Sequence, residues 1–288
     1  MEALELARRF YEWWATHPAS SKLLAYMEER GLNETARAAF HLGAAPRYGD
    51  TLYRCLRKKG LSEEELISSG LFVETEEGIR DRFYSRVMFP ISSADGRVIG
   101  FGARKVFGSG PKYLNSPQTA DFVKGDNLYA LDRAKDDPRP YFILCEGYMD
   151  VISLHCHGFG NAVAGLGTAL TENQAALLRQ YKEKVILLYD ADEAGQNATE
   201  KAIGICRGAG LTVRISSIPE PYKDPDEFFR EKSPDDFMGL LMKSKPDTRW
   251  LIDRAYAAFD RDGDAQALSD ALIGQLKDPE KILKEVNH

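Results

Sequence analysis

Apolar positions along the chain change their spacing twice, and each change predicts a different kind of structure. From residue 2 to 70, apolar and aromatic side chains recur every three or four residues, as in Leu6, Phe10, Trp13 and Trp14. This predicts successive helices punctuated by Gly31, Gly60 and Gly70. The Phe10, Trp13 and Trp14 face is expected to pack into a core rather than stack on bases. From 72 to about 135 the runs are short, β-branched and aromatic, and broken by Gly, Asp and Pro, as in Val87-Met88-Phe89-Pro90-Ile91. That texture predicts a small β-rich unit.

From 141 to 218, continuous apolar runs alternate with helical stretches. Strands are expected at 141–145, 161–164, 185–189 and 212–217, with helices running through His155, from Thr171 and from Ala194 between them. Apolar runs without polar alternation belong to strands buried on both faces. The segment therefore reads as α/β, a compact parallel sheet with flanking helices on both faces. Thr171 and Gln174 have the spacing of a capping box. After Glu227 the pattern is helical to His288. The polar, proline-rich Asp136-Asp137-Pro138-Arg139-Pro140 separates the β-rich unit from the parallel sheet, giving expected units at 1–137, 138–230 and 231–288.

Carboxylates fall where these strands end. Glu146 is the first polar residue after Tyr141-Phe142-Ile143-Leu144-Cys145, and Asp190 directly follows the run at 185–189. Ligands of open α/β sheets collect at the carboxyl ends of strands. Asp190 and Asp192, two apart on extended backbone, face the same side. Asp224 and Asp226 share that spacing, with Pro225 pushing Asp224 out of the α region, so this pair is expected to be extended too. Asp150, four residues after Glu146, reads either as a supporting acid or as a helix cap. Acids this close raise one another's pKa values unless divalent cations neutralise them, and hard oxygen ligands select Mg²⁺ or Mn²⁺ over zinc.

Composition narrows the class. A chain of 288 residues with 43% hydrophobic and 28% charged residues is a globular protein long enough for two lobes. No apolar run approaches the length of a membrane span, which predicts a cytoplasmic protein with no membrane partner. Cys55, Cys145, Cys156 and Cys206 form no CxxC pair, so neither a zinc ribbon nor a disulfide framework is expected. His155 and His157 diverge by about 200° on a helix and do not suggest a metal site. The net charge of −6 excludes indiscriminate coating of nucleic acid. Yet residues 80–125 hold Arg80, Arg82, Arg86, Arg97, Arg104, Lys105, Lys112 and Lys124 against only Asp81, Asp95 and Asp121, a local charge of +5. Within it Pro111-Lys112-Tyr113-Leu114-Asn115-Ser116-Pro117 forms a stiff loop, and with Arg104 and Lys124 it reads as a phosphate-handling surface. Gly165-Leu166-Gly167-Thr168 is either a tight strand-to-helix turn or a place where amides approach phosphate.

Glu146-Gly147-Tyr148-Met149-Asp150, Asp190-Ala191-Asp192-Glu193-Ala194-Gly195 and Asp224-Pro225-Asp226 resemble, in order, the acidic motifs of a Toprim domain. Arg82-Phe83, Phe89-Pro90-Ile91, Gly100-Phe101-Gly102-Ala103-Arg104, the Pro111 to Pro117 loop and Lys124-Gly125 narrow the resemblance to the catalytic core of bacterial DnaG-type primases, over roughly residues 5 to 230. The resemblance implies a Toprim domain preceded by a basic α+β subdomain and followed by a small helical region. It implies synthesis of short RNA primers from nucleoside triphosphates on single-stranded DNA. Glu146, Asp190 and Asp192 would be catalytic, and with Asp224 and Asp226 would hold two or more Mg²⁺ or Mn²⁺ ions. Arg104, Lys112 and Lys124 would contact the incoming nucleotide or the primer-template backbone. The rival expectations are a Toprim-type nuclease or topoisomerase, and a non-catalytic nucleic-acid-binding module. Family members usually add a zinc ribbon and a helicase-docking domain. With neither in the chain, template selectivity is expected to be weak or supplied by a helicase or a separate template-recognition protein. Ala103 and Tyr222 stand where the family usually has glycine, and both are expected to be tolerated.

Overall fold

A computed structural model describes residues 2–276. The helical pattern expected over 277–288 lies outside the described residues. The first seventy residues form α1 (Glu2–Ala15), α2 (Ser21–Glu29), α3 (Glu34–Phe40), α4 (Thr51–Lys58) and α5 (Glu63–Ser68). One element was not foreseen there: β1 (Gly43–Ala44), two residues long, joins the edge of the following sheet. The expected core face of α1 is only partly buried. Phe10 is buried and Trp14 half-buried, but Trp13 is 56% exposed.

The β-rich unit comprises a hairpin of β2 (Phe72–Thr75) and β3 (Gly78–Asp81), followed by β4 (Arg86–Ser92), β5 (Val98–Lys105) and β6 (Tyr113–Asn115). The last three pair antiparallel with β1 in the order β1-β4-β5-β6, so the stretch from Pro111 to Pro117 is not a loop throughout: its middle pairs with β5 as β6. A short helix, α6 (Leu131–Ala134), leads to the second sheet.

That sheet contains β7 (Tyr141–Cys145), β8 (Ala162–Ala164), β9 (Lys184–Leu188) and β10 (Thr212–Ile215), with α7 (Tyr148–Cys156), α8 (Glu172–Tyr181) and α9 (Glu193–Gly208) between them. Its strands are parallel, as expected, and successive residues bury opposite faces. Ile143, Cys145, Ile186 and Leu188 pack with Val151, Ile152 and Leu154 of α7, whereas Phe142, Leu144, Val185 and Leu187 pack with α8 and α9. Helices α10 (Pro225–Phe229) and α11 (Pro234–Met242) close the α7 face. A second unforeseen strand, β11 (Lys245–Pro246), adds antiparallel to β10, giving the order β11-β10-β9-β7-β8. Helices α12 (Asp247–Asp262) and α13 (Ala265–Leu276) follow. The Thr171 capping box forms as its spacing predicts. No described helix is long and apolar enough to cross a membrane.

Helix α4 is capped from a distance. Its own N-cap, Asp50, makes no side-chain capping bond and pairs with Arg54. Instead the buried Asp81, at the end of β3, accepts from the Leu52 and Tyr53 amides at 2.9 and 3.0 Å. Burial pushes the Asp81 carboxyl up to about 6, so the folded chain binds this proton more tightly than the unfolded chain. Asp81→Ala should cost about 1–3 kcal/mol of stability in urea denaturation. The loss should be largest near pH 4 and shrink as pH rises through 6, and a cost that grows with pH would contradict this assignment.

Candidate active site

Strand β7 ends at Cys145 and delivers Glu146 into a cleft at the carboxyl edge of the parallel sheet. Gly147 then starts α7, and its amide donates to the Asp150 carboxylate at 3.1 Å. Asp150 is therefore a helix cap and also faces the other acids. Across the sheet, the Asp190 amide donates to Glu146 Oε1 at 2.9 Å, tying the loop after β9 to the end of β7. Gly195 makes that loop possible. A Cβ there would lie 2.2 Å from the Asp190 carbonyl oxygen, so only glycine lets α9 approach so closely.

The cleft has a volume of about 390 Å³. Glu146, Asp150, Asp190 and Asp224 line it together with Arg104 and Lys112 from around β5 and β6, with Tyr113 and Asn115 beside them, and with Arg30 of the α2 end, which lies 3.8 Å from Asp224. Arg104 is held without an acid. Its guanidinium carbon lies 5.4 Å from the centroids of both Tyr26 and Tyr113, and Nη1 donates to the Tyr113 hydroxyl at 2.8 Å. Burial pushes the Asp150 carboxyl up to about 7, with Asp224, Asp190 and Glu146 adding to it. Burial raises Asp190 to about 6, helped by Glu146, Asp192 and Asp224. This crowding of like charge fits a bound divalent cation, and the donor set is all oxygen. Among the described residues, no three acidic, histidine or cysteine side chains already close into one ion's ligand set.

The expected site residues divide. Glu146, Asp190, Asp224, Arg104 and Lys112 meet in the cleft, but Asp192, Asp226 and Lys124 do not line it. Asp192 is the N-cap of α9, accepting from the Gly195 amide at 2.8 Å. Asp224 is extended, as Pro225 requires, and caps α10 through the Glu227 amide at 2.8 Å. The expectation of an extended pair fails at Asp226. The fixed φ of Pro225 also suits the first turn of a helix, so Asp226 is helical and buried. It pairs with Arg230 at 2.9 Å and Arg30 at 3.5 Å. Lys124 sits in a single 3-10 turn whose backbone is gripped by buried Gln174, through the Lys124 and Asn127 carbonyls.

Arg30, at the C-cap of α2, was not foreseen; no motif surrounds it, and it reaches the site only through the packing of α2. Gly165 and Gly167 also line the cleft, and Gly167 has φ +77°. The two histidines diverge as expected, His155 bonding the Ala162 carbonyl and His157 stacking on Phe229 at 4.0 Å. Both departures from the family pattern are accommodated. The Ala103 methyl is buried in the core beneath β5, and the Tyr222 hydroxyl donates to Glu231 at 2.8 Å.

Comparison with known proteins agrees with this geometry. Residues 10–135 match the family model described as the DNA primase catalytic core, N-terminal domain, and residues 143–229 match the Toprim-like model. A DNA primase of Clostridium acetobutylicum is 41% identical over 285 residues, which cover 99% of this chain but 46% of that protein. The chain thus spans less than half the length of this curated relative. The RNA polymerase domain of Mycobacterium tuberculosis primase DnaG superposes with a TM-score of 0.90 at 29% identity, covering 99% of this chain and 96% of that one. A DnaG primase catalytic domain solved bound to ssDNA gives a TM-score of 0.79 at 35% identity, covering 88% of this chain and 81% of that one. With both family models matched in order and the fold shared along nearly its whole length, the chain belongs to the DnaG-type DNA primase family, in the region of its catalytic core.

Proposed function

We propose that the chain is a nucleotidyltransferase that builds short RNA primers from ribonucleoside triphosphates on a single-stranded DNA template. The observation that carries this reading is one cleft lined by four carboxylates and three cations, of which Arg104 makes no ion pair among the described residues. Strand cleavage needs only the acids, whereas joining nucleotides also needs positive groups for a triphosphate. The division at 137/138 and 230/231 belongs to the same reading and is supported by the limits of the two matched models.

Glu146, Asp190 and Asp224, which line the cleft, would hold Mg²⁺ or Mn²⁺, with Asp192 and Asp226 two positions further along the chain from the two aspartates. Such ions, when bound, neutralise charge on the attacking and leaving oxygens of an in-line displacement. The chain's own residues supply the positioning. Glu146 keeps the two acidic loops in register through the Asp190 amide. Arg104 and Lys112 line the same cleft and hold the triphosphate there.

A track for the template adjoins Lys112. The backbone of Lys112 pairs with Lys105, and Lys105 pairs in turn with Arg86. Lys105 Nζ lies 5.7 Å from the Tyr84 ring centroid, and Tyr84 packs edge-on against Tyr48, which is 59% exposed. An exposed aromatic with a half-buried one beneath it, beside Lys105 and Lys112, suits single-stranded nucleic acid, while Arg86 is buried behind them.

Incubation with single-stranded DNA, labelled nucleotides and Mg²⁺ or Mn²⁺ should give template-dependent ladders on a gel; shortened DNA instead of ladders would favour a nuclease. Asp190→Ala should abolish extension while leaving the melting temperature nearly unchanged, and retained activity would refute its role. Gly195→Ala, which drives the Asp190 loop outward, should slow extension by about 100-fold without touching any substrate-facing side chain. Lys105→Ala should lower the salt slope of single-strand binding by about 1 in a titration, and an unaltered slope would remove it from the track.

A further inference from the structure

Between Glu146 and Asp150 stands Tyr148, a residue that no step above uses. It is 4% exposed, and its ring lies between the two halves of the protein. The ring stacks on Phe89 of β4 at 5.4 Å and packs against Tyr129 at 4.6 Å and Tyr113 at 6.2 Å. Its hydroxyl donates to Asn115 Oδ1 at 2.9 Å, and Asn115 Nδ2 donates onward to the Leu166 carbonyl at 2.6 Å. Directly beneath, Gly102 of β5 pairs with Asn115 of β6, and a Cβ on Gly102 would come within 2.4 Å of the Tyr148 ring.

Three segments of the cleft therefore meet through one phenol. Helix α7 and the turn before it bring the acids at 150 and 146. Strand β6 contains Tyr113 and Asn115 and follows the loop that carries Lys112. The turn after β8 carries Gly165 and Gly167. Each of these segments lines the cleft, but they come from separate parts of the chain. Ring packing confines the phenol, but non-directional contacts alone do not orient Asn115 or the turn after β8 about it. The directional bond to Asn115, continued to Leu166, supplies that orientation.

We propose that Tyr148 is a positioning residue that fixes the distance between the acids around the start of α7 and the cations Arg104 and Lys112 around β5 and β6. The proposal rests on the reading of the cleft as a nucleotidyl-transfer site. It predicts a specific kinetic signature. Triphosphate held by Arg104 and Lys112 would still bind when the tie is cut, but the reacting atoms would lie off line relative to the acids. Loss of alignment lowers kcat, whereas loss of uniform binding raises KM.

Tyr148→Phe keeps the ring and removes only the hydroxyl. Steady-state extension by the full chain should show kcat lowered by about 10- to 100-fold with KM for the nucleotide within about twofold, the scale of a displacement near 1 Å. Gly102→Ala should give the same kinetic split by displacing the ring while keeping the hydroxyl. Hydrogen exchange supplies an arm independent of activity. In Tyr148→Phe, amides at 112–115 and 165–168 should exchange faster than in the unsubstituted chain, although neither segment is near residue 148 in sequence. Unchanged kcat, a rise in KM alone, or faster exchange confined to α7 would each overturn the proposal. If the unsubstituted chain makes no template-dependent product, the functional reading fails, and the exchange experiment still decides whether Tyr148 ties the three segments together.

Discussion

The site depends on a single apolar cluster that belongs to both sheets. Val87, Phe89 and Ile91 of β4 share it with Ile143 and Cys145 of β7, Ala162 and Ala164 of β8, and Val151, Ile152 and Leu154 of α7. Acids on one sheet and cations on the other cannot part without exposing this surface to water. Burial thus offsets the crowding of carboxylates that would repel one another in an open chain, and it acts on their spacing through backbone that is close-packed rather than fluid. The polar contacts above the cluster refine a geometry that the hydrophobic contacts impose.

How much of this was legible in the sequence follows from how each feature is encoded. The parallel strands were readable because both faces are buried, which leaves a continuous apolar run no helix of that length would need. Strands β1 and β11 were not readable, since two residues carry no period and each exists only as an addition to an existing edge. The Thr171 cap was local and therefore visible, while the capping of α4 by Asp81 spans 29 residues and was not. Glu146 and Asp190 were found because a strand's end is marked by the strand itself. Asp226 was misjudged because proline is compatible with two backbone states, and only the packing of Phe228 into the core selects the helical one. Arg30 carried no local signal at all.

The departures at Ala103 and Tyr222 illustrate the same distinction. A glycine is irreplaceable where a neighbour occupies the space of its Cβ, as at Gly102 and Gly195, and replaceable where the Cβ finds a core or a partner. Resemblance to a family pattern thus holds most strictly at the positions where atoms are closest.

The two arginines of the cleft differ in what their charge has to do before any substrate arrives. Arg30 faces Asp224 and Asp226 at 3.8 and 3.5 Å, so much of its field is already compensated within the protein. Arg104 makes no ion pair among the described residues and is immobilised by two tyrosine faces and a hydroxyl. Aromatic faces orient a guanidinium without cancelling its net charge. An incoming anion meets at Arg104 a full positive charge whose side-chain entropy has already been lost in folding, and it displaces no carboxylate to reach it. The cleft therefore combines one arginine already paired with its acids and one whose charge is uncompensated among the described residues, a difference that substitution by lysine at position 104 would erode through geometry while leaving the formal charge intact.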